Sequence, residues 1–317
     1  MKLFAPDYYK NFSCIASSCR HNCCIGWEID IDDDTYEYYK SIGGSFGKRL
    51  SENISEEGCP HFVLGRDERC PFLNAENLCD IICGLGEESL CSICNDHPRY
   101  RSFYTDIEEI GTGLSCEASA KLIVSKKDKT VICEISADDE NEPYISQEER
   151  ELFSERQRIF DILQNRTARI SERLSDAVKA YIPDFSAKPY TEYMKLYRDL
   201  EYMESEWKET VTELSETEYG IQLPQEFDTA FEQIAVYFVY RHMSGILDGF
   251  GFYGTLIFCI VSTAVIMLVC RSHFEKHGSL SEDDIAEYAR MYSCEIEYSE
   301  ENTEYLKNLF SGEYPDF

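Results

Sequence analysis

Eleven of the 15 cysteines in this 317-residue chain fall between Cys14 and Cys116. Thiols at that density either cross-link a small scaffold or bind metal, and the compartment separates the two cases. The opening Met1-Lys2-Leu3-Phe4-Ala5-Pro6-Asp7 has no apolar run and no cleavage site, so a cytoplasmic chain with reduced thiols is expected. Clustered reduced cysteines hold metal or carry redox chemistry, and a disulfide framework is set aside on that ground.

The spacing sharpens this. Cys14-x4-Cys19-x3-Cys23-Cys24 opens the chain, and Cys59, Cys70, Cys79, Cys83, the pair Cys91-x2-Cys94 and Cys116 follow. Two residues between cysteines let both sulfurs reach one metal from a tight turn, as in zinc and iron–sulfur sites. Zinc needs four ligands, commonly as two tight pairs, whereas this many thiols would equally suit an iron–sulfur cluster or two sites. The simplest role for such a metal is to staple a domain with little core. A radical-type cysteine triad is absent: Gly26 and Gly86 occupy the places where its third member would follow Cys19/Cys23 and Cys79/Cys83.

Charge excludes another class. The net charge of −30 repels polyphosphate, so no nucleic acid is expected as a partner, while a basic surface or a lysine would be attracted. The acidity is not a tail: 27 acids stand against 14 bases up to Ile145, and 33 against 16 beyond it. A hydrophobic content of 43% is ample for folded cores.

The expected fold class is α+β, with a small cysteine-rich metal-binding domain over 1–145 and a mostly α-helical domain over 146–317. In the first, Trp27–Asp32 alternates as a strand does, and Leu122–Val124 with Thr130–Cys133 predicts a hairpin. Thr35–Gly58, broken at Gly43-Gly44, is read as a linker. In the second, Ser146 and Glu149 form a capping box before an apolar face of Leu152, Ile159, Leu163, Ile170, Leu174 and Val178. A second helix is expected from Met194 to Leu214, a third opening at Pro224, and two shorter ones after Ser281 and Asn302. Gly249–Cys270 carries no charge and is long enough to span a bilayer, but no Lys/Arg cluster flanks it, so a buried central helix is expected and a membrane partner is not.

Other motifs invite a bland reading. Gly249-Phe250-Gly251-Phe252-Tyr253-Gly254 fits G-x-G-x-x-G, but it follows a helix and lacks the acid expected about 20 residues on, so it is read as a break between helices. His97 is read as a loop histidine and His242 as a satisfied core histidine. Arg99 and Arg101 could clamp a carboxylate, or simply pair with local acids.

The blocks Cys14…Cys19…Cys23-Cys24-Ile25-Gly26-Trp27-Glu28-Ile29-Asp30, Cys70-Pro71-Phe72-Leu73, Leu78-Cys79-Asp80-Ile81, Leu90-Cys91-Ser92-Ile93-Cys94, His97-Pro98-Arg99 and Leu114-Ser115-Cys116-Glu117-Ala118 resemble the flagellin lysine-N-methylase family. That family is a branch of the cysteine-doublet, zinc- or iron-chelating proteins. Tyr240-Arg241-His242 and the apolar helix after Gly249 resemble its C-terminal half less specifically. The resemblance implies methyl transfer from S-adenosylmethionine to lysine amines of flagellin. It also implies a metal centre, a [4Fe–4S] cluster with zinc as the alternative, held by a subset of Cys14, Cys19, Cys23, Cys24, Cys70, Cys79, Cys91, Cys94 and Cys116. Arg99 is then the candidate for the methionine carboxylate. Cys59 and Cys83 fit the pattern less clearly, and Cys133, Cys259, Cys270 and Cys294 lie outside it as ordinary small core residues. No general base stands out among the tyrosines and acids. A non-catalytic metal-chelating protein is the competing reading.

Overall fold

In the computed structural model, which describes residues 1–137 and 142–314, the chain opens on strand β1 (Lys2–Pro6). Residues 13–100 then form one compact unit. Its helices are α1 (Asp33–Ser41) and α2 (Gly44–Glu52), followed by the two-residue strands β2 (Ile54–Ser55) and β3 (His61–Phe62), and the short helices α3 (Asp80–Leu85) and α4 (Ser92–Asp96). The stretch read as a linker thus carries most of α1 and all of α2. Asp32 caps α1, its carboxylate accepting from the Thr35 N–H at 3.0 Å, and Asp33 and Asp34 follow in the first turn. Trp27–Asp32 makes no strand, only an isolated bridge between Asp30 and His61. Its alternation survives as burial: Ile29 and Ile31 join Tyr39, Leu50, Phe62, Phe72 and Ile81 in the core.

Residues 1–12 and 101–317 form the other unit. Strands β4 (Arg99–Phe103), β5 (Ile107–Thr112) and β6 (Ile132–Ala137) complete a sheet in the order β4-β5-β1-β6, with β1 parallel to β5 and antiparallel to β6. The contact-based units thus part at residues 12/13 and 100/101, and β1 joins the N-terminus to β5 and β6. The hairpin expectation also fails. Leu122–Val124 belongs to helix α5 (Glu117–Val124), which buries Ala120, Ile123 and Val124, and β6 pairs instead with β1. Apolar residues three and four apart satisfied a helix as well as a short strand, a known ambiguity of brief apolar runs.

Eight helices follow among the described residues: α6 (Gln147–Leu163), α7 (Ile170–Lys179), α8 (Tyr190–Arg198), α9 (Ser205–Glu216), α10 (Asp228–His242), α11 (Phe252–His277), α12 (Glu282–Tyr292) and α13 (Glu300–Glu313). The Ser146/Glu149 capping box forms as expected. Two faces read as continuous are broken into pairs, between α6 and α7 and between α8 and α9. Helix α10 starts at Asp228, after a 3-10 turn behind Pro224. Helix α11 is long and apolar enough to cross a membrane, but it lies buried among α10, α12 and α13. The motif at its start is structural. Gly249 has φ +101°, and a Cβ on Gly254 would collide with the Ser311 hydroxyl and stand 2.6 Å from the Lys307 carbonyl, so α11 and α13 touch backbone to backbone there.

Charged groups are buried in pairs. Arg156 on α6 holds Glu109 on β5 through two hydrogen bonds, one of 2.6 Å, and Arg173 on α7 meets Glu232 on α10 at 2.5 Å. Each joins separate elements, and neither charge could be left inside alone.

Candidate metal centre

Within residues 13–100 the two cysteine blocks are stitched together by backbone. The Cys70 N–H donates to the Cys24 carbonyl at 2.8 Å, Ile25 bridges Arg69, and the Gly26 N–H reaches the Glu68 carbonyl at 3.1 Å. Gly26 has φ +94°, which lets the chain turn sharply after the Cys23-Cys24 doublet. The turn is pinned from both sides, as Trp27 Nε1 donates to the Cys23 carbonyl at 2.7 Å and the Cys24 N–H to Asn22 Oδ1 at 3.0 Å. Cys79 stands at the start of α3 and Cys91 at the start of α4, both in extended conformation.

This gathers Cys23, Cys24, Cys70, Cys79, Cys91 and Cys94. Cys70 and Cys91 are part of the core, and Cys24, Cys79 and Cys94 pack against it. Their charges act on one another: a thiolate at Cys24 is opposed by Cys23, Cys70 and Cys79, and one at Cys94 by Cys91, Cys24 and Cys70. The thiols work in pairs. A hydrogen bond from Cys24 pulls Cys23 down to about 7, and one from Cys94 lowers Cys91. Cys24 and Cys94 are pushed up in exchange, while burial raises Cys70 to about 11 and raises Cys79. Such sulfurs would repel one another as free thiolates, and a cation or cluster shared among them removes that cost. The donors are soft and carried on backbone turns, the chemistry a thiophilic metal takes.

The remaining cysteines differ in exposure and in the unit that carries them. Cys14 is exposed, and the Cys19 thiol donates to the His21 carbonyl at 3.2 Å. Cys59 and Cys83 are exposed. Cys116 belongs to the other unit, where it precedes α5. Cys259 and Cys270 are buried in α11, as core residues should be. Arg99 Nη1 donates to the Asn95 carbonyl at 3.2 Å, and Arg101 pairs with Glu108. His97 packs against Trp27 with ring centres 5.9 Å apart, and burial lowers its pKa to about 4, with the charge of Arg99 adding to that. Glu28, Asp30 and His61 bring ligand atoms within 4.8 Å of one another, but an exposed trio of this kind carries no metal assignment by itself.

Around the thiols lies a layer that sequence reasoning missed. Asp32 accepts from the Ser92 N–H at 2.8 Å and the Ser92 hydroxyl at 2.9 Å, besides capping α1 through Thr35. Burial alone would raise its pKa; the hydrogen bonds of Ser92 and Thr35 outweigh that and hold it at about 2. Arg49 on α2 donates to Asp80 Oδ2 at 2.7 Å and to the Pro71 carbonyl at 2.6 Å, over the Phe72 ring. The run Asp32-Asp33-Asp34 was the available signal, since an N-cap Asp followed by acids in the first turn marks a helix start.

Comparison with known proteins places the other unit. Residues 178–316 match the family described as FliB lysine N-methylase C-terminal domain. Two lysine-N-methylases, of Salmonella choleraesuis (strain SC-B67) and Salmonella typhimurium (strain LT2), are 25% identical over 139 residues, covering 41% of this chain and 34% of each relative. A flagellar biosynthetic protein FliU of Salmonella muenchen is 24% identical over 139 residues, 41% of this chain and 80% of that protein. The match thus spans about a third of the length of the two lysine-N-methylases. No solved structure matches the chain. The resemblance read from the sequence holds, and it holds on the helical part that had looked the less specific.

Proposed function

We propose, from the premise that this chain is a relative of the flagellin lysine-N-methylases, that it transfers a methyl group from S-adenosylmethionine to lysine side chains of flagellin, in the cytoplasm, and carries a thiolate-held metal centre in residues 13–100. The observation that carries the reading is the match of residues 178–316 to the FliB C-terminal domain. The names of the relatives add lysine methylation and a flagellar setting.

In this reading Cys23, Cys24, Cys70, Cys79, Cys91 and Cys94 would supply the metal ligands. Bound there, a [4Fe–4S] cluster would supply a redox-active centre, and zinc a structural cross-link. Either would add folding free energy to a unit of modest core. The substrate amine must be neutral to attack a methyl sulfonium, so a proton acceptor has to stand close to it.

The test is direct. Anaerobically purified protein is incubated with flagellin and radiolabelled S-adenosylmethionine, and methylated lysines are mapped by mass spectrometry. Label in flagellin lysines supports the proposal. Metal bound without any methyl transfer would favour a chelating protein instead.

A further inference from the structure

We propose that helices α1 and α2 form a clamp for the metal-binding turns, with Asp32 and Arg49 as positioning residues for Cys91/Cys94 and for Cys70/Cys79. This rests on the reading of those thiols as a metal centre. The assignment comes from what each side chain holds.

Asp32 Oδ1 accepts from the Thr35 N–H, while Oδ2 takes the Thr35 hydroxyl, the Ser92 N–H and the Ser92 hydroxyl, all at 2.8–3.0 Å. One oxygen serves helix α1, and the other also holds the residue immediately after Cys91, inside the Cys91-x2-Cys94 turn. A helix cap needs only the first oxygen. The additional bonds lie on a residue 60 positions away, and they fix the backbone from which two sulfurs project.

Arg49 repeats the arrangement from α2. Its guanidinium spans the residues after Cys70 and after Cys79, bonding the Pro71 carbonyl and the Asp80 carboxylate. Asn74 donates to the other oxygen of Asp80 at 2.9 Å, and the Asp80 N–H reaches the Phe72 carbonyl at 2.7 Å, so the two loops are locked to each other as well as to α2. Each anchored residue is next in sequence to a thiol. Groups that orient ligands in this way commonly change metal affinity by about 10- to 100-fold when removed.

Asp32→Asn separates clamp from cap. Asparagine caps a helix as well as aspartate does. With Oδ1 kept on the Thr35 N–H, its amide nitrogen must face the Ser92 N–H, donor against donor. Thr35→Val is the converse control, loosening the α1 end and leaving Ser92 held. Arg49→Lys retains the charge but cannot span Pro71 and Asp80 together.

The experiment measures bound iron and zinc in each anaerobically purified protein, then the rate of metal loss to excess chelator, with circular dichroism and thermal unfolding beside it. Asp32→Asn and Arg49→Lys should lose metal roughly tenfold faster or more, with folded spectra, and Thr35→Val at the wild-type rate. Wild-type release rates in both clamp variants, or faster release in Thr35→Val equal to that in Asp32→Asn, would overturn the clamp. Wild-type protein purified without metal, and unable to take up either zinc or iron with sulfide, would overturn the metal reading beneath it.

Discussion

His242 Nε2 meets a carboxylate oxygen of Glu297 at 2.7 Å, with both side chains 8% exposed or less. Helix α10 supplies the histidine, and a short π-helical stretch, Ser293–Glu297, supplies the acid. The Tyr237 hydroxyl donates to the same carboxylate, Arg241 Nε lies 3.3 Å from it, and the Leu114 N–H donates to the Tyr237 oxygen at 3.2 Å. The histidine is satisfied, as its place in the sequence suggested, but by a buried acid that no local pattern pointed to.

Removing that acid should be costly. Glu297→Ala removes the buried carboxylate that forms an ion pair with Arg241 and hydrogen bonds with His242 and Tyr237, and breaking a buried charged pair typically costs about 3–5 kcal/mol. Glu297→Gln keeps an acceptor and should cost clearly less. Urea unfolding of both variants checks the order, and equal stability in the two would show the network to be dispensable.

The same pair sets an acid limit. Burial pushes His242 down to about 4, against the pull of Glu297, whereas an unfolded histidine titrates near 6.5. Between those values the unfolded chain binds the extra proton, so stability rises with pH across the window and is lost as pH falls through it. The melting temperature should drop from pH 7 to pH 5, and less steeply in His242→Gln, whose baseline is lower. Parallel slopes in the two proteins would assign the acid sensitivity to other groups.

Gly254→Ala tests whether the glycine motif is structural. The added methyl meets the Ser311 hydroxyl and stands 2.6 Å from the Lys307 carbonyl, so α11 and α13 must separate. Overpacking of this kind costs roughly 1–3 kcal/mol. The prediction is a lower melting temperature with unchanged metal content. Full stability together with impaired binding of S-adenosylmethionine would reinstate the cofactor-loop reading.

Replacing Cys23 and Cys24 together with serine should strip the metal and destabilise residues 13–100, because ligand thiolates contribute to folding through the metal. Replacing Cys259 or Cys270 with alanine removes only packing volume from α11. Metal analysis distinguishes the cases, and equal metal loss in all three proteins would undo the ligand assignment.

How far the sequence could be read depended on the range of each interaction. The Ser146/Glu149 box, the buried α11 and the core role of Cys259 and Cys270 are local or compositional, and they could be read directly. The pairing of β1 with β5 and β6 joins residues more than a hundred positions apart, and short strands carry no mark of their partners. Spacing showed which cysteines were dense. It could not show that Cys116 belongs to another unit, or that Asp32 and Arg49 reach back to the turns that bear the thiols.

Charge gives the last prediction. From Ser146 onward 33 acids face 16 bases, and flagellin, as the proposed substrate, would offer lysines. Attraction between opposite surfaces speeds encounter more than it tightens the final complex. It is screened beyond ~8 Å at physiological ionic strength. The second-order rate of methylation at limiting flagellin should therefore fall as salt rises from low to physiological, while the rate at saturating flagellin changes little. If the acids are only a solvated surface and docking is apolar, both rates will be flat across that range. Solubility alone accounts for acids scattered over both halves of a chain, so a flat response in folded, metal-loaded protein would leave them with that role and place recognition on an apolar patch.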